Sequence, residues 1–178
     1  MDFETFKQKS QSYSGLILVF FVLIHLAGII FAGINPNKFE IYASNLHSSI
    51  ILPYLEIGLT LSFIVHIFLT LEKVLKNRSI GNKALLRTRR NDFIGVLAYK
   101  VQPLTGVILA SFLLIHLFQL RFPRPEDNFE LASLRESLEG IHILVLYSLA
   151  SISLFFHMVQ GIESGHRSLG ILNQINSL

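Results

Sequence analysis

Ser14–Leu26, SGLILVFFVLIHL, lies without a gap over Thr105–Leu117, TGVILASFLLIHL, with eight of thirteen positions identical. The same offset of 91 residues carries His25 onto His116, His66 onto His157, Ser62 onto Ser153 and Glu72 onto Glu163. The chain therefore reads as a tandem repeat of two apolar segments, each with one histidine. Ionisable residues are costly inside lipid, so four of them at repeated positions point to function.

Composition agrees with a membrane setting. Of 178 residues 51% are hydrophobic, fifteen are Phe and only 15% are charged. The mean hydropathy of +0.53 excludes an ordinary soluble domain. There is no Cys, which excludes disulfides, iron–sulfur ligation by this chain and thioether-linked haem. The polar start, MDFETFKQKSQSYS, runs into a full-length apolar span with no small-residue cleavage pattern, so no removable signal peptide is expected.

Residues 1–178 read as a single all-α membrane domain, a four-helix bundle with spans at about 14–34, 51–72, 98–120 and 140–162, each near the ~20 residues a crossing helix needs. Four spans return both termini to one side. The loop 73–97 carries Lys73, Lys76, Arg78, Lys83, Arg87, Arg89 and Arg90, so the positive-inside rule places it and the termini in the cytoplasm. That loop fits anionic lipid or the acidic face of a protein partner. The two outer connections read either as plain surface loops or as short interfacial helices, one opened by Pro36 and running through Phe39, Tyr42 and Leu46, the other through Phe129, Leu131, Leu134 and Leu138.

Depth decides how the histidines pair. His25 and His116 each lie sixteen residues, or ~24 Å, beyond Lys9 and Lys100 respectively. His66 and His157 lie ~10–15 Å from the basic residues that follow them, Lys73 and Arg167. The two levels differ by roughly 10 Å, which disfavours one tetrahedral metal ion and suits two bis-histidine b-type haems, His25 with His116 and His66 with His157. Ser14 and Thr105, three turns before a histidine, and Ser62 and Ser153, one turn from another, are candidates to hydrogen-bond those cofactors. The alternative for each is a hydroxyl bonded to its own helix. Gly28, Gly106 and Gly161 suit close approach of a porphyrin or simple helix packing.

The four histidine segments, SGLILVFFVLIHL, LEIGLTLSFIVHIF, LTGVILASFLLIHLFQ and LYSLASISLFFHMVQG, resemble the dihaem cytochrome b anchor of succinate dehydrogenase and fumarate reductase, in the class with one large membrane subunit. The similarity covers most of the chain. It implies the bacterial cytoplasmic membrane and the same histidine pairing. It also implies a cytoplasmic flavoprotein with covalent FAD, an iron–sulfur subunit docked on the anchor, and a quinone, usually menaquinone. No nucleic-acid partner is expected. Two departures stand out. The family's fifth span is missing, and Gln102, Pro103 and Leu104 stand where an arginine commonly precedes the Thr-Gly pair, leaving Lys9, Lys100 or Arg90 as propionate partners. For the proton exchange that quinone needs, Glu56 is the candidate, with Tyr54 and His47 near it. A merely interfacial carboxylate is the other reading of Glu56. Two further readings of the chain stay open: the cytochrome b subunit of a membrane hydrogenase or formate dehydrogenase, and a haem-free proton channel or docking anchor.

Overall fold

The computed structural model describes residues 2–80, 93–123 and 129–170. Lys83, Arg87, Arg89 and Arg90 of the basic loop, and Glu126 and Asp127, lie outside the described residues. The elements are α1 (Phe3–Ile34), α2 (Pro36–His47), α3 (Leu52–Ile80), α4 (Phe93–His116), α5 (Glu130–Ser137) and α6 (Ile141–Leu169). A π-helical turn, Leu117–Arg121, continues α4. No strand occurs among the described residues. Four helices, α1, α3, α4 with its π turn, and α6, are long and apolar enough to cross a membrane.

The radial pattern is that of a protein solvated by lipid. Large apolar side chains such as Phe20, Leu23, Ile30, Leu61, Phe68, Val107, Leu114, Leu144 and Phe155 point outward. The buried positions are small or polar instead, among them Ser14, Ala32, Ala98, Thr105, Ala150, Ser153 and Gln160. Lipid tails are as apolar as Leu, so helices associate through small residues that let backbones approach. α1 packs on α3, α4 on α6, and α1 on α6. In that order α1 and α4 are second neighbours, as are α3 and α6, and each such pair meets across the middle of the bundle.

Every long helix outruns its apolar span. α1 has 32 residues, or ~48 Å, against a hydrocarbon core of ~30 Å. Its polar first turns lie beside the end of α3, where Lys7 pairs with Glu72, Gln11 Nε2 donates to Thr70 Oγ1 at 3.0 Å, and Lys76 lies 3.4 Å from Glu4. α6 likewise runs on through an Arg167–Glu163 pair one turn apart, at 2.7 Å, to Gly170. There a φ of 74° turns the backbone out of the helix, a conformation glycine adopts without strain.

The other end is closed by the two short helices. Asn35 caps α2 by accepting from the Lys38 amide at 3.2 Å, and Pro36 stands in the first turn, where its missing N–H costs no hydrogen bond. α2 packs on α5, and α5 on the π turn. Both connections thus contain a short helix and are not plain loops.

Ala98 is 0% exposed, on the helix α4 whose main packing partner is α6. Ala98→Leu should therefore destabilise the bundle by about 1–3 kcal/mol. The expected result is a lower thermal unfolding midpoint in detergent, with Leu104→Ala, on the exposed surface, as the near-neutral control.

Candidate functional site

The bundle's middle brings the four apolar-span histidines together in two pairs. The His25 and His116 rings stand 5.8 Å apart between centroids and nearly perpendicular, at 87°. The His66 and His157 rings stand 6.3 Å apart at 72°. Each pair joins second-neighbour helices, α1 to α4 and α3 to α6. These are the partners that the depth argument expects.

The first pair is held by aromatic rings one turn away. Phe21 stacks on His25 at 5.6 Å and Phe112 on His116 at 5.4 Å, and the two phenylalanines are themselves 91 residues apart. His116 Nδ1 also lies 3.0 Å from the hydroxyl of Tyr147 on α6. Tyr147 meets Phe112 edge-on at 4.9 Å, so the ring has little freedom to swing away.

The second pair rests on backbone. A Cβ at Gly15 would stand 3.2 Å from His66 Cε1, and one at Gly106 would stand 3.3 Å from His157 Cε1. A side chain at either position would push its imidazole back by a few tenths of an ångström. One residue earlier, Ser14 and Thr105 are each 5% exposed. Their hydroxyls donate to the carbonyls of Gln11, at 2.9 Å, and Gln102, at 3.0 Å. Those carbonyls face His66 and His157 respectively. Thr105 Oγ1 is also 3.3 Å from His157 Nδ1. Gln, Ser or Thr, and Gly thus recur at the same spacing on α1 and α4 as a seat for an imidazole. His66 Nδ1 is buried and makes no full hydrogen bond.

Other expected positions fare unevenly. Ser62 is bonded to the carbonyl of Gly58 in its own helix at 2.8 Å, the alternative reading for that serine. Ser14 and Thr105 likewise spend their hydroxyls on helix carbonyls. Ser153 is buried, 3% exposed. Lys9 is half-buried and Lys100 exposed. A Cβ at Gly28 or Gly161 would meet nothing within 4 Å, so neither marks a close helix contact, whereas Gly106 does. Glu56 is held by Arg121 from the end of the π turn, a partner the spacing did not disclose. Tyr54 is 72% exposed and His47 faces Glu130, so the structure does not gather Glu56, Tyr54 and His47 into one cluster.

Chemically, two imidazoles facing each other suit a metal whose other ligands come from elsewhere. Among the described residues each pair stands without a third His, Asp or Glu grouped with it. A metal–imidazole bond of about 2 Å, plus about 1 Å from nitrogen to ring centre, puts two opposed ligand rings about 6 Å apart. The observed 5.8 and 6.3 Å match that spacing. Each pair is thus spaced so that its two imidazoles could hold one metal between them, as in b-type haem. No family model, curated protein or solved structure matches the chain.

The lid holds a second polar cluster. Glu130 is 6% exposed, touches the carboxyl of Glu40, and has its Oε1 3.7 Å from His47 Nδ1. Glu40 meanwhile accepts from the Leu131 amide at 3.0 Å. Burial, then the hydrogen bond with Glu40, push Glu130 above its ordinary value of 4.5. A carboxyl raised on folding stabilises the fold fully below its unfolded pKa, and that contribution is lost as pH rises through the raised one. Amide exchange in residues 130–137, corrected for its intrinsic pH dependence, should show the lid loosening as pH climbs past the ordinary carboxyl range. Glu130→Gln should flatten that dependence, and an unchanged profile would contradict the shift.

Proposed function

We propose that this chain is the dihaem cytochrome b membrane anchor of a succinate dehydrogenase or fumarate reductase, passing electrons between soluble subunits and membrane quinone. The observation that carries the reading is the two cross-bundle imidazole pairs at two depths, neither joined by a third protein ligand among the described residues. On this reading the chain is two tandem helix hairpins in the bacterial cytoplasmic membrane, with both termini and the basic loop in the cytoplasm. Phe21 with Phe112, and Gly15 with Gly106, support the tandem arrangement, because residues 91 apart make like contacts.

His25 and His116 hold one haem b at the outer level, and His66 and His157 hold another at the inner level. When bound, the haems supply one-electron iron couples in series across the bilayer. The chain's own part is to fix ligand orientation and to exclude water. Gly15 and Gly106 seat the inner imidazoles, while Phe21 and Phe112 brace the outer ones. Lys9 and Lys100 stand near the basic end, where they offset propionate charge. The flavoprotein with FAD and the iron–sulfur subunit dock at the cytoplasmic end, where Arg87, Arg89 and Arg90 supply basic partners. Quinone, of the menaquinone type, is handled at the lidded end. Glu56 exchanges protons there, with Tyr54 and His47 on neighbouring surface.

A reduced-minus-oxidised spectrum of the purified chain should show two b-type components at two haems per chain. Replacing His25 or His116 by Leu should remove one component, and replacing His66 or His157 should remove the other. Loss of a common component on changing His25 and His66 would refute the pairing. A chain with no haem absorbance leaves the docking-anchor or proton-channel reading.

The quinone assignment is tested separately. With the soluble subunits bound, Glu56→Gln should slow quinone turnover by about 10²-fold or more, a usual size for losing a proton-transfer group. Both haem spectra and electron delivery to an artificial acceptor should be preserved. Normal quinone turnover in that variant leaves Glu56 as an interfacial carboxylate paired with Arg121.

A further inference from the structure

The two histidine levels are anchored by different chemistry. At one level the imidazoles lie against helix carbonyls, those of Gln11 and Gln102, and the one hydroxyl near a ring nitrogen, Thr105 at 3.3 Å from His157 Nδ1, is itself bonded to the Gln102 carbonyl. At the other, His116 Nδ1 meets a side-chain hydroxyl, Tyr147 at 3.0 Å. The position 91 residues before Tyr147 is Glu56, which is turned to Arg121 instead. The two hairpins therefore depart from each other at this point, and the departure places one phenol against one candidate ligand. Nothing in the sequence pattern distinguishes Tyr147 from an ordinary interior tyrosine.

Building on the haem reading, we infer that Tyr147 is a positioning residue that sets the tautomer and electron richness of His116, and through it the reduction potential of the outer haem alone. The ring nitrogen that binds a metal is decided by the hydrogen bond the other makes. His116 faces His25 across the bundle, so its Nε2 is the ligand atom and its Nδ1 carries the proton. The phenolic oxygen accepts that proton's hydrogen bond. An accepted hydrogen bond draws the Nδ1 proton outward and leaves the imidazole a better electron donor, which favours the oxidised metal. Removing the acceptor leaves a buried N–H unpaired and a poorer donor. Phe112, edge-on to Tyr147 and stacked on His116, keeps both rings in register.

Tyr147→Phe deletes the oxygen and keeps the ring. In a redox titration of the haem-loaded chain, the expected result is a shift to higher potential of the component that His25→Leu and His116→Leu abolish. The component lost in the His66 and His157 variants should stay where it was. Outer-haem transfer to an acceptor protein should quicken by about 10-fold or more, the usual cost of losing such a partner. Unchanged potentials, or equal shifts in both components, overturn the inference. Should the variant fail to retain the outer haem, imidazole 15N shifts in the haem-free chain decide the point. Wild-type His116 should be the Nδ1–H tautomer and Tyr147→Phe should release it, whereas a tautomer indifferent to the substitution refutes the hydrogen bond. A wild-type chain that takes up no haem sinks the cytochrome reading and the tuning role together. A haem-loaded chain with indifferent potentials sinks the tuning role only.

Discussion

Placing an imidazole in hydrocarbon is tolerable only if its two nitrogens have somewhere to go, and much of this structure follows from doing that four times. No water is at hand inside a bilayer, so each polar atom must find a partner within the protein. The helices answer with hydroxyls, carbonyls and opposing rings instead of bulk, although His66 Nδ1 stays without a full hydrogen bond among the described residues. Positions that would hold Leu or Phe in a soluble bundle hold Ser14, Thr105, Ser153 and Gly165. No large side chain is fully buried among the described residues. At one level backbone approaches a ring closely, at Gly15 and Gly106.

Much of this was legible in the chain. The offset of 91 exposed the histidine pairs because a residue carried onto its equivalent keeps its depth, and depth is what pairs side chains across a bundle. Pro36 and the apolar spacing after Asn128 marked the two short helices. Helix ends were less legible. Hydropathy registers only where lipid lies, whereas α1 and α3 stay helical past it because Lys7, Gln11, Thr70 and Glu72 satisfy one another between helices. The seats of the imidazoles were visible as identical letters but not as seats, since the contact joins residues on different helices, Gly15 to His66 and Gly106 to His157. Arg121 reaches Glu56 only by way of the π turn that begins at Leu117, and no residue in LFQLR advertises a change of helical pitch. Tyr147 was hidden for the same reason as the seats.

The molecule's two ends are built on opposite principles. One ends in helix stubs laced by ion pairs that persist outside lipid. The other is folded back under α2 and α5, with Glu130 buried between them beside Glu40 and the part-exposed His47. Wide turns of the π type are often placed where a side chain has to be re-aimed. Here the π turn lies directly after His116 and beneath α5.

The stubs bear on how the protein sits in membranes of different thickness. A helix whose apolar stretch equals its length must tilt, stretch the lipid or unwind when the bilayer changes, at a cost of fractions of a kcal/mol per Å. Here α1 and α3 run on past their apolar parts at one end, and that excess is satisfied by polar contacts between the two helices. A thicker or thinner bilayer moves the water boundary along preformed helix without altering any backbone hydrogen bond. The four paired histidines lie within the apolar parts, away from the stubs along which that boundary would move.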